Sequence, residues 1–164
     1  MNFRERVQFS APSFFREGKI LKDIKLNEIE INGTKYPIYC DLNVLELIQE
    51  NFESVNEFER GILGLVPLRD KDGELMRDDT GAILQEQHEP KIKVVAFGLF
   101  VMIREGQRIQ KRETGEDVEL IQKEDIMEGC RTSFIELAEI VREEFNKCFT
   151  IKKKENKSSR KTKN

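Results

Sequence analysis

Apolar and polar residues alternate across residues 24–40 in the manner of a β-hairpin. The Asn32-Gly33 pair suits a type I′ turn and lies between two segments rich in Ile and Tyr. Pro37 cannot donate a backbone hydrogen bond, so its strand is expected at a sheet edge. Closing the hairpin on the turn predicts a register in which apolar side chains and opposite charges face each other: Ile31 with Thr34, Glu30 with Lys35 and Ile29 with Tyr36.

The hydrophobic period lengthens to about 3.6 residues after the hairpin, which predicts two short helices. Asp41 is the expected N-cap of the first helix. Its predicted apolar face comprises Leu42, Leu45, Ile48 and Phe52. Ser54 and Glu57 form a capping box for the second helix, which ends before Gly64 and Pro67. The predicted buried side of the second helix comprises Val55, Phe58 and Ile62.

Residues 92–103 predict a third helix that is apolar on every side. Pro90 suits its first turn, and apolar residues follow at helical spacing and also between those positions. Such a helix either runs through the centre of the domain or is covered on one side by another subunit, because a small domain has limited material for complete covering. Homo-oligomerisation is therefore a hypothesis raised by this pattern.

A long amphipathic helix is predicted near the C-terminus, after a polar linker over residues 110–117 and the segment 118–121. Its apolar residues recur every three or four positions and make one continuous stripe on a helix of about 25 residues. The stripe lacks a strict heptad, so packing on its own domain is favoured over a coiled-coil partner. Its members are Ile126, Cys130, Phe134, Leu137, Val141, Phe145 and Cys148.

The two ends of the chain differ from its middle. Residues 1–20 predict an aromatic arm that either covers its own core or docks on a neighbouring subunit. Residues 151–164 carry seven basic residues and one acidic residue, a charge of +6 that leaves −9 for residues 1–150. This tail has a single apolar residue and is expected to be disordered. The aromatic residues of the arm are Phe3, Phe9, Phe14 and Phe15.

These elements predict one globular domain over residues 1–150. Its expected class is α+β, with the N-terminal hairpin packed on a mainly helical body and the basic tail behind it. The net charge of −3 over 164 residues excludes a strongly basic nucleic-acid binder. The longest apolar run, residues 94–103, is about half of what a membrane span needs, and no secretory signal opens the chain, so a cytoplasmic protein is expected.

Residues that would carry catalysis or bind a metal are sparse. The cysteines, Cys40, Cys130 and Cys148, are distant in sequence and odd in number, which predicts core residues rather than a disulfide framework or a metal site. His88 is the single histidine and is expected at the surface, and no glycine-rich phosphate loop is present. We therefore expect no enzyme, no metal and no cofactor.

A polar excursion over residues 68–89 is predicted to include a second small hairpin that turns at Asp72-Gly73. Its aspartates invite a comparison with calcium-binding loops. The comparison fails because Asp79 falls at the position where a bidentate Glu is needed.

Three segments carry a resemblance to a known family. They are an aspartate-led helix over residues 41–48, an apolar helix that ends in residues 100–106, and a charged helical stretch over residues 121–126. Together with the preceding hairpin, their order across residues 30–148 resembles the tail assembly chaperones of long-tailed bacteriophages, particularly those of Gram-positive hosts.

The resemblance implies a non-enzymatic protein in the cytoplasm of an infected bacterium. Such a protein binds the tape measure protein, recruits tail tube subunits and is not retained in the mature virion. In many such phages a frameshift extends this reading frame, and Lys152-Lys153-Lys154 is compatible with a slippery site. The competing class is a nucleic-acid-associated accessory or regulatory protein whose basic tail contacts phosphates.

A chaperone of a long helical client should offer apolar grooves. The excess apolar faces of residues 92–103 and 126–148 would supply them, and the aromatic arm adds further contact residues. The predicted partner-binding residues are Phe14, Phe15, Phe97, Phe100, Val101, Phe134, Val141 and Phe145.

Overall fold

A computed structural model describes residues 26–150 as five helices and two small antiparallel sheets. The N-terminal hairpin packs on a mainly helical body, which is the α+β architecture that the sequence predicts. The predicted aromatic arm and disordered tail lie outside the described residues. The strands are β1 (Asn27–Ile31), β2 (Thr34–Ile38), β3 (Leu65–Pro67) and β4 (Gln85–Gln87), and the helices are α1 (Leu42–Asn51), α2 (Val55–Leu63), α3 (Ile92–Thr114), α4 (Lys123–Gly129) and α5 (Phe134–Lys147).

The first hairpin is confirmed in position and register. Asn32 and Gly33 both have positive φ, at 51° and 76°, as a type I′ turn requires. The three predicted residue pairs are the observed pairs, and Pro37 lies opposite Glu28. Among the described residues β2 pairs with β1 alone. The missing N–H of Pro37 therefore removes no hydrogen bond to a second neighbouring strand.

The N-caps of α1 and α2 are confirmed, but the buried face of α1 differs from the prediction. Asp41 accepts hydrogen bonds from the backbone N–H groups of Asn43 and Val44, and Ser54 accepts one from Glu57. With the helix beginning at this position, Val44 and Ile48 face the core, and Leu42 is 81% exposed. Leu42 was wrongly predicted to face inward: it precedes Ile48 by six residues, which places it about 120° away around the helix from the buried face.

Helix α3 runs through the centre of the body. It is buried along most of its length, and its neighbours are β2, α1, α2, α4 and α5. The Tyr39 N–H donates to the Met102 carbonyl, and Gly106 lies against the backbone of Pro37, where a side chain would collide. The predicted polar linker over residues 110–117 is wrong over residues 110–114, because α3 continues to Thr114.

The predicted 25-residue helix is divided into α4 and α5 by residues 130–133. Ser133 begins α5 by accepting a hydrogen bond from the Glu136 N–H, which is a second helix start inside the apolar stripe. Gln122 and Asp125 cap α4 reciprocally. A continuous stripe is therefore compatible with two helices that bury one side each.

Residues 68–84 contain two turns of matching structure. In the first, Arg69 donates to the Gly73 carbonyl and Asp70 accepts from two backbone N–H groups; in the second, Arg77 and Asp78 do the same around Gly81. The predicted turn at Asp72-Gly73 is confirmed, since Arg69 and Leu75 bridge across it, but the second turn was not predicted. The Thr80 hydroxyl and N–H hold the pKa of Asp78 below its usual value.

Candidate functional site

An apolar groove lies between α3, α4 and α5. Its floor is formed by Val95 and Leu99, each 1% exposed, and its rim includes Ile92 and Met127, which are 62% and 55% exposed. The cavity measures about 120 Å³. We call this feature the interhelical groove and define it by its lining: Ile92, Val95, Ala96, Leu99, Ile126, Met127, Cys130, Phe134 and Leu137.

The break between α4 and α5 forms the groove. Because residues 130–133 are not helical, α4 and α5 are separate walls around α3 rather than one continuous rod. The end of α4 is attached to the first hairpin, where the Asn32 N–H donates to the Gly129 carbonyl at 3.2 Å. Both helix starts are fixed by side-chain caps, so the walls are held independently of any occupant.

A second depression lies near the start of α3. It measures about 560 Å³ and combines apolar side chains such as Ile62, Pro90 and Ile135 with Glu139 and Arg142. Phe134 lines the groove and its neighbour Ile135 lines the depression, so the first turn of α5 contributes to both concave surfaces. Ile135 is more than half exposed.

The predicted partner-binding residues have different surroundings in the structure. Val101, Val141 and Phe145 are buried in the core, where the Phe145 ring packs against Phe58. Phe97 is half-buried and meets Phe52 edge to face. These four side chains hold the body together in the single chain.

Phe100 and Phe134 are also half-buried, and only Phe134 lines the interhelical groove. The Arg104 guanidinium lies 5.2 Å from the centre of the Phe100 ring, a cation–π contact that covers this ring. Phe14 and Phe15 lie outside the described residues. The predicted set therefore contributes one described residue to the groove.

Two exposed apolar residues, one at the groove and one at the neighbouring depression, were missed by sequence reasoning. Met127 and Ile135 each directly follow a member of the predicted stripe, Ile126 and Phe134. An apolar residue beside the stripe broadens the apolar face beyond what one packed neighbour covers. That signal was present in the sequence, but it does not indicate whether another element covers the broader face.

The buried polar side chains connect structural elements. Gln107 donates to the Glu119 carbonyl and accepts from the Ile121 N–H, which holds the segment after α3 against that helix. Glu105 is 3% exposed and faces the guanidinium groups of Arg108 and Arg112. Within residues 26–150 the buried side chains of Glu105, Gln107 and Glu144 all have partners, as buried polar groups generally do, whereas the buried Nε of the partly exposed Arg104 has none.

Glu144, the third of these side chains, accepts hydrogen bonds from Asn27 at 2.8 Å and from Lys147 at 2.6 Å. It joins the start of β1 to the last turns of α5. The first residue of the described hairpin is therefore attached to the C-terminal half of α5.

Cys40 and Cys148, which are distant in sequence, are neighbours in the structure. The Cys40 S–H can donate to the Cys148 thiolate, and this lowers the pKa of Cys148. The same contact, together with burial, raises the pKa of Cys40. All three cysteines are free thiols, and the pairing of two of them was not predicted.

Other chemistry is limited within the described part of the chain. His88 is exposed, as predicted, and its Nε2 lies 3.2 Å from a Glu86 carboxylate oxygen. Residues 26–150 contain no group of three His, Cys, Asp or Glu side chains arranged to hold a metal ion. In the same residues no helix combines the length and the apolar character needed to cross a membrane.

The chain was compared with known proteins at three levels. No protein-family model, no curated protein and no solved structure matches it.

Proposed function

We propose that the protein is a non-enzymatic tail assembly chaperone of a long-tailed bacteriophage, which binds the tape measure protein and recruits tail tube subunits to it. The observation that carries the proposal is the interhelical groove, an apolar surface left open between three helices. The proposal is supported further by the resemblance across residues 30–148 described above.

The lining of the groove suits a helix as its ligand. Every lining side chain is apolar or a thiol, so recognition depends on burial and shape rather than on hydrogen bonds. An amphipathic helix would place an apolar residue on the floor at Val95 and Leu99 and pack neighbouring turns against Ile92 and Met127. Tape measure proteins are long and helical, so they can supply this ligand.

Charge favours a client helix with basic residues beside its apolar face. Residues 26–150 contain 15 Lys and Arg against 27 Asp and Glu, a net charge of −12. Glu124, Asp125 and Glu128 are exposed on α4, beside the groove residue Met127. Opposite charges around an apolar contact mainly accelerate association and select partners, while burial supplies the affinity.

A small groove also fits a chaperone that is released. Interfaces of modest area generally give weak, transient complexes. A protein that escorts the tape measure in the bacterial cytoplasm and is absent from the mature virion needs this reversibility. Tail tube subunits would then bind another part of the surface, so that both partners are held together.

The proposal is tested with overlapping peptides from the candidate tape measure protein, the long helical product of the same phage. Full-length protein is titrated into each labelled peptide, and fluorescence anisotropy reports binding. We expect one or a few amphipathic peptides to bind with dissociation constants of about 1–100 µM, the range of transient complexes. Scrambled peptides of the same composition are the matched controls and should not bind.

The competing function is tested in the same assay with a labelled DNA duplex. Binding through the basic tail would weaken steeply as salt is raised. If the protein binds the duplex at physiological salt and binds none of the peptides, the chaperone proposal fails and the nucleic-acid-associated role replaces it. Recruitment of the tail tube is then tested by asking whether purified tube subunits join the protein–peptide complex.

A further inference from the structure

The interhelical groove exposes apolar side chains to water when the body is alone. Ile92 and Met127 are more than half exposed above a floor that is almost fully buried. A contiguous apolar surface of this kind promotes association with unrelated chains. A cover supplied by the same chain would prevent that association until a client is present.

The N-terminal segment has the composition of such a cover. Residues 1–25 contain six basic and three acidic residues, a net charge of +3, whereas residues 26–150 carry −12. Opposite net charges draw the segment toward the body, and aromatic rings supply large apolar areas for burial. The rings available are Phe3, Phe9, Phe14 and Phe15.

The attachment point allows the segment to reach the groove. It joins the body at Leu26, and Asn27 donates to Glu144 on α5 at 2.8 Å. The groove residue Leu137 precedes Glu144 by seven residues, which is about 10 Å along the helix and on the same face. Phe15 precedes Asn27 by twelve residues, and an extended chain of that length spans about 40 Å.

We propose that residues 1–25 return to the body of their own chain and place Phe14 and Phe15 in the interhelical groove. The segment then acts as an intramolecular competitor that a client helix must displace. The docking is independent of the client's identity, whereas the competition rests on the proposed function.

Because residues 1–25 are covalently attached to the body, even a modest intrinsic affinity is sufficient for them to occupy the groove. A short covalent link gives an effective concentration of about 1 mM, so an intrinsic dissociation constant of about 100 µM leaves roughly ten occupied grooves for each open one. A client then binds the parent protein about tenfold more weakly than a protein whose groove is open.

The thiol of Cys130 reports on occupancy because it lines the groove. Full-length protein is alkylated with iodoacetamide, and the rate at Cys130 is followed by mass spectrometry of its peptide. The double variant Phe14→Ser/Phe15→Ser should be labelled about tenfold faster than the parent. The matched control Asn2→Ser/Gln8→Ser changes the same segment but keeps every aromatic ring, and should be labelled at the parental rate.

Equal rates at Cys130 in the parent and the aromatic variant would overturn the docking. Protection that disappears on dilution from about 100 µM to about 1 µM would overturn it as well, because the cover would then come from a second copy. The buried Cys40 reports on the core, so equal acceleration at Cys40 and Cys130 would show that the aromatic residues stabilise the whole fold instead.

The competition has a separate readout in the affinity for a client peptide. The aromatic variant should bind that peptide about tenfold more tightly than the parent. Unchanged affinity, with Cys130 still protected in the parent, would overturn the competition and leave the docking in place. Failure of both proteins to bind any tape measure peptide would be a failure of the proposed function alone.

Discussion

The two sides of the central helix α3 have similar apolar composition and different surroundings. On the closed side, Gly98 faces Phe58 of α2 and Val141 of α5 so closely that a Cβ atom would not fit. On the open side, Val95 and Leu99 form the floor of the interhelical groove. An apolar helix can therefore serve the core and a binding surface at once, and the elements that pack on each side set the difference.

The largest effect is expected on the closed side at Phe58. This ring is fully buried, packs against Phe52 and Phe145, and lies under Gly98. Phe58→Ala should lower the free energy of unfolding by about 3–5 kcal/mol, because the cavity cannot be filled by its neighbours. Urea denaturation followed by circular dichroism measures the change. A loss below about 1 kcal/mol would mean that the closed side is not tightly packed.

A smaller loss of stability is expected at Gly106, where α3 touches β2. An added methyl group would collide with the carbonyl of Pro37, so Gly106→Ala should cost about 1–3 kcal/mol despite the better helix propensity of alanine. Gln110→Ala, one turn further along α3, is the matched control and should stay within about 0.5 kcal/mol of the parent. A stabilised Gly106→Ala protein would show that the hairpin is less closely packed on α3 than described.

Local sequence signals were sufficient to predict the first turn and two of the helix caps. The Asn32-Gly33 turn and the caps at Asp41 and Ser54 were predicted correctly, because each depends on residues close together in the chain. The cap at Ser133, which divides the predicted long helix, is equally local, but it was overlooked because the apolar stripe continues through it.

The groove could not be predicted in the same way. Whether Val141 or Met127 faces a partner depends on how α4 and α5 are placed around α3, and that placement involves residues far apart in sequence. The sequence therefore indicated an excess of apolar surface without indicating which part stays open. The contact between Cys40 and Cys148 is non-local for the same reason.

A change in thiol reactivity is expected at the end of α5, on the closed side. The hydrogen bond from Cys40 keeps the pKa of Cys148 below its ordinary value, so Cys148 remains partly reactive as the pH falls below the usual thiol range. Cys40→Ala removes the donor, and the pH at which Cys148 alkylation reaches half of its maximum should rise. An unchanged profile for Cys148 would contradict the hydrogen bond, and Cys130 serves as the internal reference.

The smallest effect is expected from removing the basic tail. If the open side supplies the affinity for a client, deletion of residues 152–164 should change that affinity by less than about tenfold, or about 1.4 kcal/mol. Calorimetry with a client peptide compares the two proteins. Complete loss of binding on truncation would show that the tail, rather than the groove, binds the client.

Two exposed apolar residues, one at the groove and one distant from it, are compared by calorimetry with the same client peptide. Met127→Asp places a charge at the rim of the groove and should weaken binding about thirtyfold, or about 2 kcal/mol. Leu42→Asp is the matched control, since Leu42 is 81% exposed on α1, and it should leave the affinity unchanged. Parental affinity in Met127→Asp together with lost binding in Leu42→Asp would contradict the assignment of the groove as the client site.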